Sequence, residues 1–389
     1  MTRRYMRNRP REIETRSVGH FIHTYLGRSA TFIHTFIRFQ RRFQPVVFAK
    51  SLEHLDEFPL DSVTCLFPEL PLYRRVFRYF PQARDPFWQF MLARGLKRHD
   101  CILLHAHYGW NGRRVLDVAA RVKIPLVTTF YGRDLAPDLA ARHDYEPLFS
   151  RGALFFCEGP AMARSLEGLG CPPDKVRVVK IGIDLECFPF RPRPRSEPLI
   201  ILQIARFVEK KGVDLSIRAY AAARPHLGPS ELWLIGDGVL GAELKSRSES
   251  LGISSSTRFF GMLSHAECQQ MIDRAHVCIQ PSRTAANGDT EGGAPTVLIE
   301  MQAAGIPVVA TKHADIPAVV AEPEALVDEE DVAGLAEQLT RLARLPEDEW
   351  SALALKGRRL VEREHDARRV AERVYTLYSE ALGEVVSTT

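Results

Sequence analysis

No stretch of the chain approaches the roughly 18 consecutive apolar residues of a membrane-spanning helix, so any contact with a bilayer is expected to be peripheral. Cysteine is sparse and odd in number, seven in 389 residues, with no Cys-x-x-Cys pair. That argues against a disulfide scaffold and the commonest zinc and redox motifs, and fits reduced core thiols of a cytosolic protein. Met1 to Ser17 carries six arginines with no apolar run behind them, so no secretory leader is expected. Repeats at solenoid or propeller periods are missing. Basic residues form neither a readout helix nor an aromatic RNA-binding signature, so nucleic acid is not an expected partner.

What is present is ordinary globular composition, 45% hydrophobic and 26% charged, in a chain long enough for two domains with their own cores. The net charge of +4 hides an asymmetry. Up to residue 190 there are 29 Lys/Arg against 19 Asp/Glu, and beyond it 23 against 29. A basic first half suits an anionic partner, such as a phosphorylated lipid carrier or the anionic inner face of a membrane. A merely Arg-rich surface explains it equally well.

Apolar β-type runs alternate with helical patterns, which specifies parallel sheets covered by helices. Strands are predicted at Val46 to Ala49, Cys101 to His105, Leu126 to Thr129, Leu154 to Cys157 and Val176 to Val179. A second series follows at Leu199 to Ile204, Leu232 to Ile235, Arg258 to Phe260, Val277 to Gln280 and Pro307 to Ala310. Between the series, Cys187 to Pro198 holds four prolines and reads as a linker. Ser264 and Glu267 stand at capping-box spacing before a helix over His265 to Arg274. The segment Arg78 to Arg98 mixes aromatics with basic residues, fitting either a membrane-surface helix or a core helix.

The chemistry-bearing residues cluster after strands of the second series. Arg206 and Lys211 sit at a strand end ahead of a helix N-terminus, where both cations can meet one diphosphate. Met262 and Leu263 follow another strand and can present backbone groups to a nucleobase. The stretch from Gly288 to Glu300 is an acidic loop running into an apolar helix. In the run Gly292, Gly293, Ala294, Pro295 and Thr296 the backbone N–H groups, which all but the proline carry, suit an anion, and the loop's carboxylates suit hydroxyls. Glu300 lies beside Val297, Leu298 and Ile299, where a carboxylate needs a partner, either a ribose diol or a basic side chain.

The order R-x4-K-G, G-D-G, F-x-G, P-S, E-G, P-x-x-x-L-x-E and A-x-G-x-P-V-V-A-T resembles the C-terminal domain of retaining GT-B glycosyltransferases of the family 4 type. The resemblance is strong over residues 199 to 320 and looser before them. It implies a GT-B fold, two Rossmann-like α/β domains facing each other across a cleft. It also implies Arg206 and Lys211 as the diphosphate clamp, Glu300 as the ribose ligand, and Met262 and Leu263 as backbone contacts to the base. Glu291, with the amides of Gly292, Gly293 and Ala294, would grip the donor sugar. Relatives usually place seven residues between the two glutamates, whereas eight lie between Glu291 and Glu300 here. A local bulge at the spare glycine would leave Glu291 in place.

In the first half, His107 in Leu104 to Gly109 resembles the family histidine near the transferred sugar, while His105 reads as core. Thr129 to Asp134 resembles a second loop of the family, with Tyr131 where relatives often carry histidine. Gly27 and Arg28 resemble a loop approaching the diphosphate, with Ala30 replacing the usual acid.

The expected domains are an Arg-rich leader (1–16), an acceptor-side domain (17–186), the linker (187–198), a nucleotide-sugar-binding domain (199–364) and a C-terminal helix (365–389) returning to the first domain. The expected reaction is metal-independent, cofactor-free transfer of a hexose from a UDP- or GDP-sugar to a glycan or lipid-linked acceptor in cell-surface polysaccharide assembly. An epimerase or hydrolase on the same fold, and a non-catalytic nucleotide-sugar-binding protein, are the alternatives.

Overall fold

The computed structural model describes residues 16–27, 30–66, 84–136, 144–191, 194 and 196–384. Residues 1–15 of the leader, Arg28 and 78–83 of the basic aromatic segment lie outside them.

The first series forms a seven-stranded sheet of β1 (Ser17–Tyr25), β2 (Gln44–Leu52), β3 (Val63–Cys65), β4 (Cys101–His107), β5 (Leu126–Thr129), β6 (Leu154–Cys157) and β7 (Val176–Val178). Its order is β3-β2-β1-β4-β5-β6-β7. β1, which carries no strand expectation from the sequence, runs parallel to both β2 and β4. His20, His23 and Thr24 break its apolar pattern, yet His20 is fully buried.

The second series forms a six-stranded parallel sheet of β8 (Leu199–Ile204), β9 (Ser230–Ile235), β10 (Thr257–Gly261), β11 (Val277–Gln280), β12 (Val308–Thr311) and β13 (Leu326–Val327). Its order is β10-β9-β8-β11-β12-β13, with every pair parallel. Side chains alternate between two cores. Ile201, Leu232, Leu234, Val277 and Ile279 face one, with the helix Val213–Ala223. Leu202, Trp233, Ile235 and Cys278 face the other, with the helix Thr296–Ala303. Alternation with both faces buried is what the near-continuous apolar runs require.

Strand direction in the sequence-order sense reverses between β1 and β4 in one sheet and between β8 and β11 in the other. Ligands of such sheets bind beyond the strands' carboxyl ends at these switch points. Gly27 and His107 lie at or just beyond the first switch point, Arg206 and Ser282 just beyond the second.

Residues 187–191 and 196–198 carry no strand or helix, as the prolines demand, but Phe188 is buried among Ile183, Ile200 and Leu298. In the helix Arg84–Arg98, Trp88 is buried and stacks on Phe21 with ring centroids 5.4 Å apart, so it is a core residue. Phe90 of the same helix is 56% exposed. The expected capping box is present, with Ser264 N–H donating to Glu267 Oε2 at 2.8 Å and Glu267 N–H returning to Ser264 Oγ at 3.3 Å. All described cysteines are free thiols.

By contacts the chain divides into two units. The first comprises 1–129, 147–155 and 371–389, and the second 130–146 and 156–370. Within the first, the end of the last helix packs on the sheet, with Tyr375 against Phe43 and Tyr378 against His105. Among the described residues no helix is long and apolar enough to cross a membrane.

Candidate active site

β8 ends at Ile204, and the backbone beyond it is held by Phe207 N–H donating to Asp237 O and Ala205 N–H to Ile235 O. This fixes Arg206 on the surface. Its guanidinium is exposed and makes no hydrogen bond or ion pair among the described residues. One turn later, Gly212 adopts φ +59°, and a Cβ there would lie 1.9 Å from Pro281 O. Only glycine allows this entry into the helix Val213–Ala223. The turn directs Lys211 toward the segment after β11.

There Lys211 Nζ meets Glu291 Oε2 at 2.6 Å, and Ser282 Oγ donates to Glu291 Oε1 at 2.8 Å. Burial works to raise the Glu291 carboxyl, but Lys211, Ser282 and Lys210 outweigh it and hold the group below the usual carboxylate range. The expected clamp cation and the expected sugar grip are thus ion-paired with each other. Lys210, which the sequence reading left unassigned, is itself buried and holds Asp289 Oδ1 at 3.0 Å and Thr290 O at 2.8 Å.

A second support comes from β12. His313 Nε2 accepts from the Glu291 backbone N–H at 3.1 Å and meets Thr290 Oγ1 at 2.8 Å, while its Nδ1 faces Glu329 Oε1 at 2.6 Å. A carboxylate oriented behind an imidazole fixes the tautomer that leaves Nε2 as acceptor. Ser282 is the serine of the P-S motif, whereas His313 and Glu329 carry no local signal, because each acts on a loop distant in sequence.

The spare glycine is accommodated. Gly292 takes φ +72°, against the backbone of Gly132. The backbone N–H groups of Gly293 and Ala294 donate to no acceptor among the described residues. They precede the helix Thr296–Ala303, N-capped by Pro295. Glu300 is half-buried on that helix, and burial pushes its carboxyl up to about 7. No basic side chain pairs with it among the described residues. Met262 is 61% exposed beyond β10, and Leu263 packs against the core beneath it.

In the first unit His107 has no exposed surface. Its Nε2 lies 3.2 Å from His20 Nδ1. His105 joins Tyr378 through Nδ1 at 2.5 Å and Thr129 through Nε2 at 2.7 Å. Burial lowers all three imidazoles, His20 to about 3. One nitrogen from each lies within 4.8 Å of the others, a spacing able to hold a metal ion. The Gly27 carbonyl accepts from Ala30 N–H at 2.9 Å. Tyr131 is buried, its N–H bonded to Asp134 Oδ2.

Two Rossmann-like parallel sheets, with cations and carboxyls gathered at the switch point of the second, have the architecture of the GT-B fold. The chain belongs to the glycosyl transferases group 1 family, whose profile matches residues 186–356, preceded by a glycosyltransferase family 4 match over 29–187. It is 32% identical over 269 residues to a putative colanic acid biosynthesis glycosyltransferase, WcaL, of Escherichia coli K12, covering 67% of this chain and 66% of that protein. It is 30% identical over 276 residues to the amylovoran biosynthesis glycosyltransferase AmsK of Erwinia amylovora, covering 69% and 67%. The crystal structure of Anabaena Alr3699/HepE in complex with UDP and glucose shares its fold, with TM-score 0.75 and 16% identity over 94% of this chain and 99% of that one.

Proposed function

We propose that the protein transfers a hexose from a nucleoside-diphosphate sugar to a hydroxyl of a glycan or lipid-linked acceptor, with retention and without a metal, in cell-surface polysaccharide assembly at the cytoplasmic face of the membrane. The observation that carries this is the exposed Arg206 guanidinium just beyond β8 at the switch point, without a partner among the described residues, on the same strand-to-helix turn as Lys211, which pairs with Glu291. Lys211, oriented by that carboxylate, and Arg206 are the two cations for an incoming diphosphate. Free amides at Gly293 and Ala294 and the unpaired Glu300 add groups suited to sugar and ribose hydroxyls. The names of WcaL and AmsK point to polysaccharide synthesis, and HepE was solved with UDP and glucose.

In this reading the C1–O bond to the β-phosphate breaks while the acceptor oxygen bonds C1 on the same face. The acceptor's proton passes to the departing diphosphate. Arg206 and Lys211 stabilise the charge growing on that leaving group, a contribution on the order of a hundredfold or more per donor. Resident metal is unnecessary for that role because the cations are built in. Nucleoside diphosphate release from a panel of UDP- and GDP-sugars, with and without oligosaccharide or lipid-linked acceptors, tests it. Acceptor-dependent release supports transfer; equal release without acceptor indicates a hydrolase, and conversion of the sugar alone an epimerase.

A further inference from the structure

Glu158 stands at the end of β6, in the second unit, and no motif of the sequence assigns it a role. A Cβ on Gly293 would lie 1.8 Å from Glu158 Oε2. The carboxyl therefore occupies the space that a side chain at Gly293 would take. The backbone around it is clamped: Asp315 accepts from Ala161 N–H at 2.7 Å and Met162 N–H at 3.1 Å, while Asp315 N–H donates to Gly293 O at 3.3 Å. Glu158 itself is half-buried and makes no hydrogen bond or ion pair among the described residues. A half-buried carboxyl on this fixed backbone, left without a partner among the described residues, is suited to a ligand that supplies one.

We propose that Glu158 is a specificity-determining residue of the donor pocket, exchanging hydrogen bonds with a hydroxyl of a neutral hexose and disfavouring a carboxylate-bearing sugar. This rests on the donor-site reading above. The charges facing it are Asp315, Glu291 and Asp134, opposed by Lys211; burial first, and these carboxylates next, push it up to about 8. At neutral pH it thus offers an O–H donor and a carbonyl acceptor, matched to a hydroxyl. Deprotonation places it among three acids, which repels an anionic sugar. Gly293 follows from the same packing: a larger residue there would displace the carboxyl from its place.

The test uses the full chain with UDP-glucose, UDP-galactose, UDP-N-acetylglucosamine, GDP-mannose and UDP-glucuronate, comparing each with free UDP or GDP. Glu158→Ala is expected to weaken the best neutral donor at least about tenfold in kcat/KM and to narrow its advantage over UDP-glucuronate, with free diphosphate binding unchanged within about twofold. Glu158→Gln, which keeps a donor and an acceptor, should restore most of the loss and remove the alkaline limb of the wild-type pH profile. If Glu158→Ala does not fold, the Gln variant's pH profile decides, and an unaltered alkaline limb overturns the proposal. Equal donor discrimination in wild type and Glu158→Ala also overturns it. Wild type that binds these sugars without transferring them refutes the transfer, while the affinity gap between sugar and free diphosphate still reads Glu158. Binding of none refutes both.

Discussion

The ammonium of Lys211 and the carboxylate of Glu291 lie 2.6 Å apart, with only 15% and 7% of the two side chains exposed. Eighty residues separate them in sequence. The pair joins the turn after β8 to the acidic loop after β11, so it sets the geometry of the candidate site before any substrate arrives. Removing one partner leaves the other charge stranded.

Lys211→Met should accordingly destabilise the protein by about 3 kcal/mol, the range for breaking a buried pair from one side. The loss should be larger than for Glu291→Gln/Lys211→Met together. Urea unfolding of the single and double variants measures the difference.

Glu300 gives a pH prediction with a definite sign. Its folded carboxyl is raised to about 7 by burial, above its ordinary value of 4.5. The native state then holds a proton that the unfolded chain releases, so stability is highest below about 4.5 and falls as pH rises through 7. Glu300→Gln should flatten that fall in thermal melts across the same window. If a ribose diol is its ligand, nucleotide affinity should rise with pH through 7 in wild type and not in the variant.

His20, His105 and His107 carry the opposite sign. His20 falls to about 3 in the folded protein against 6.5 in the free side chain. The unfolded state therefore binds more protons between these values, and stability is lost as pH falls from 6.5 toward 3. Replacing His20 by Phe should reduce this acid sensitivity, read from unfolding midpoints between pH 4 and 7.

The three imidazoles and the transfer reaction also separate cleanly. Treatment with a chelator should leave sugar transfer intact. Activity abolished by EDTA and restored by manganese or zinc would contradict the metal-independent reading and direct attention to the histidine cluster.

How much of this was legible depends on the range of each interaction. Leu126–Thr129, Leu154–Cys157, Leu199–Ile204 and Val277–Gln280 stand where their apolar runs place them, because buried parallel strands write themselves locally. β1 does not, since His20 is buried through a partner at His107, 87 residues away. β3 and β13 are too short to leave a pattern. Arg206, Lys211, Glu291 and Glu300 each stand in a local motif. Their supports leave no such trace: His313 holds the Glu291 amide from the loop after β12, and Glu158 declares itself only through the space at Gly293.

The central claim is that Arg206, without a partner among the described residues, takes the diphosphate of a sugar donor. Calorimetric titration of UDP and GDP into wild type and Arg206→Ala tests it most directly. The account predicts that one diphosphate binds wild type and loses affinity on the order of a hundredfold in the variant, with the corresponding nucleoside monophosphate much less affected. Equal diphosphate affinity in the two proteins, both folded, would contradict it.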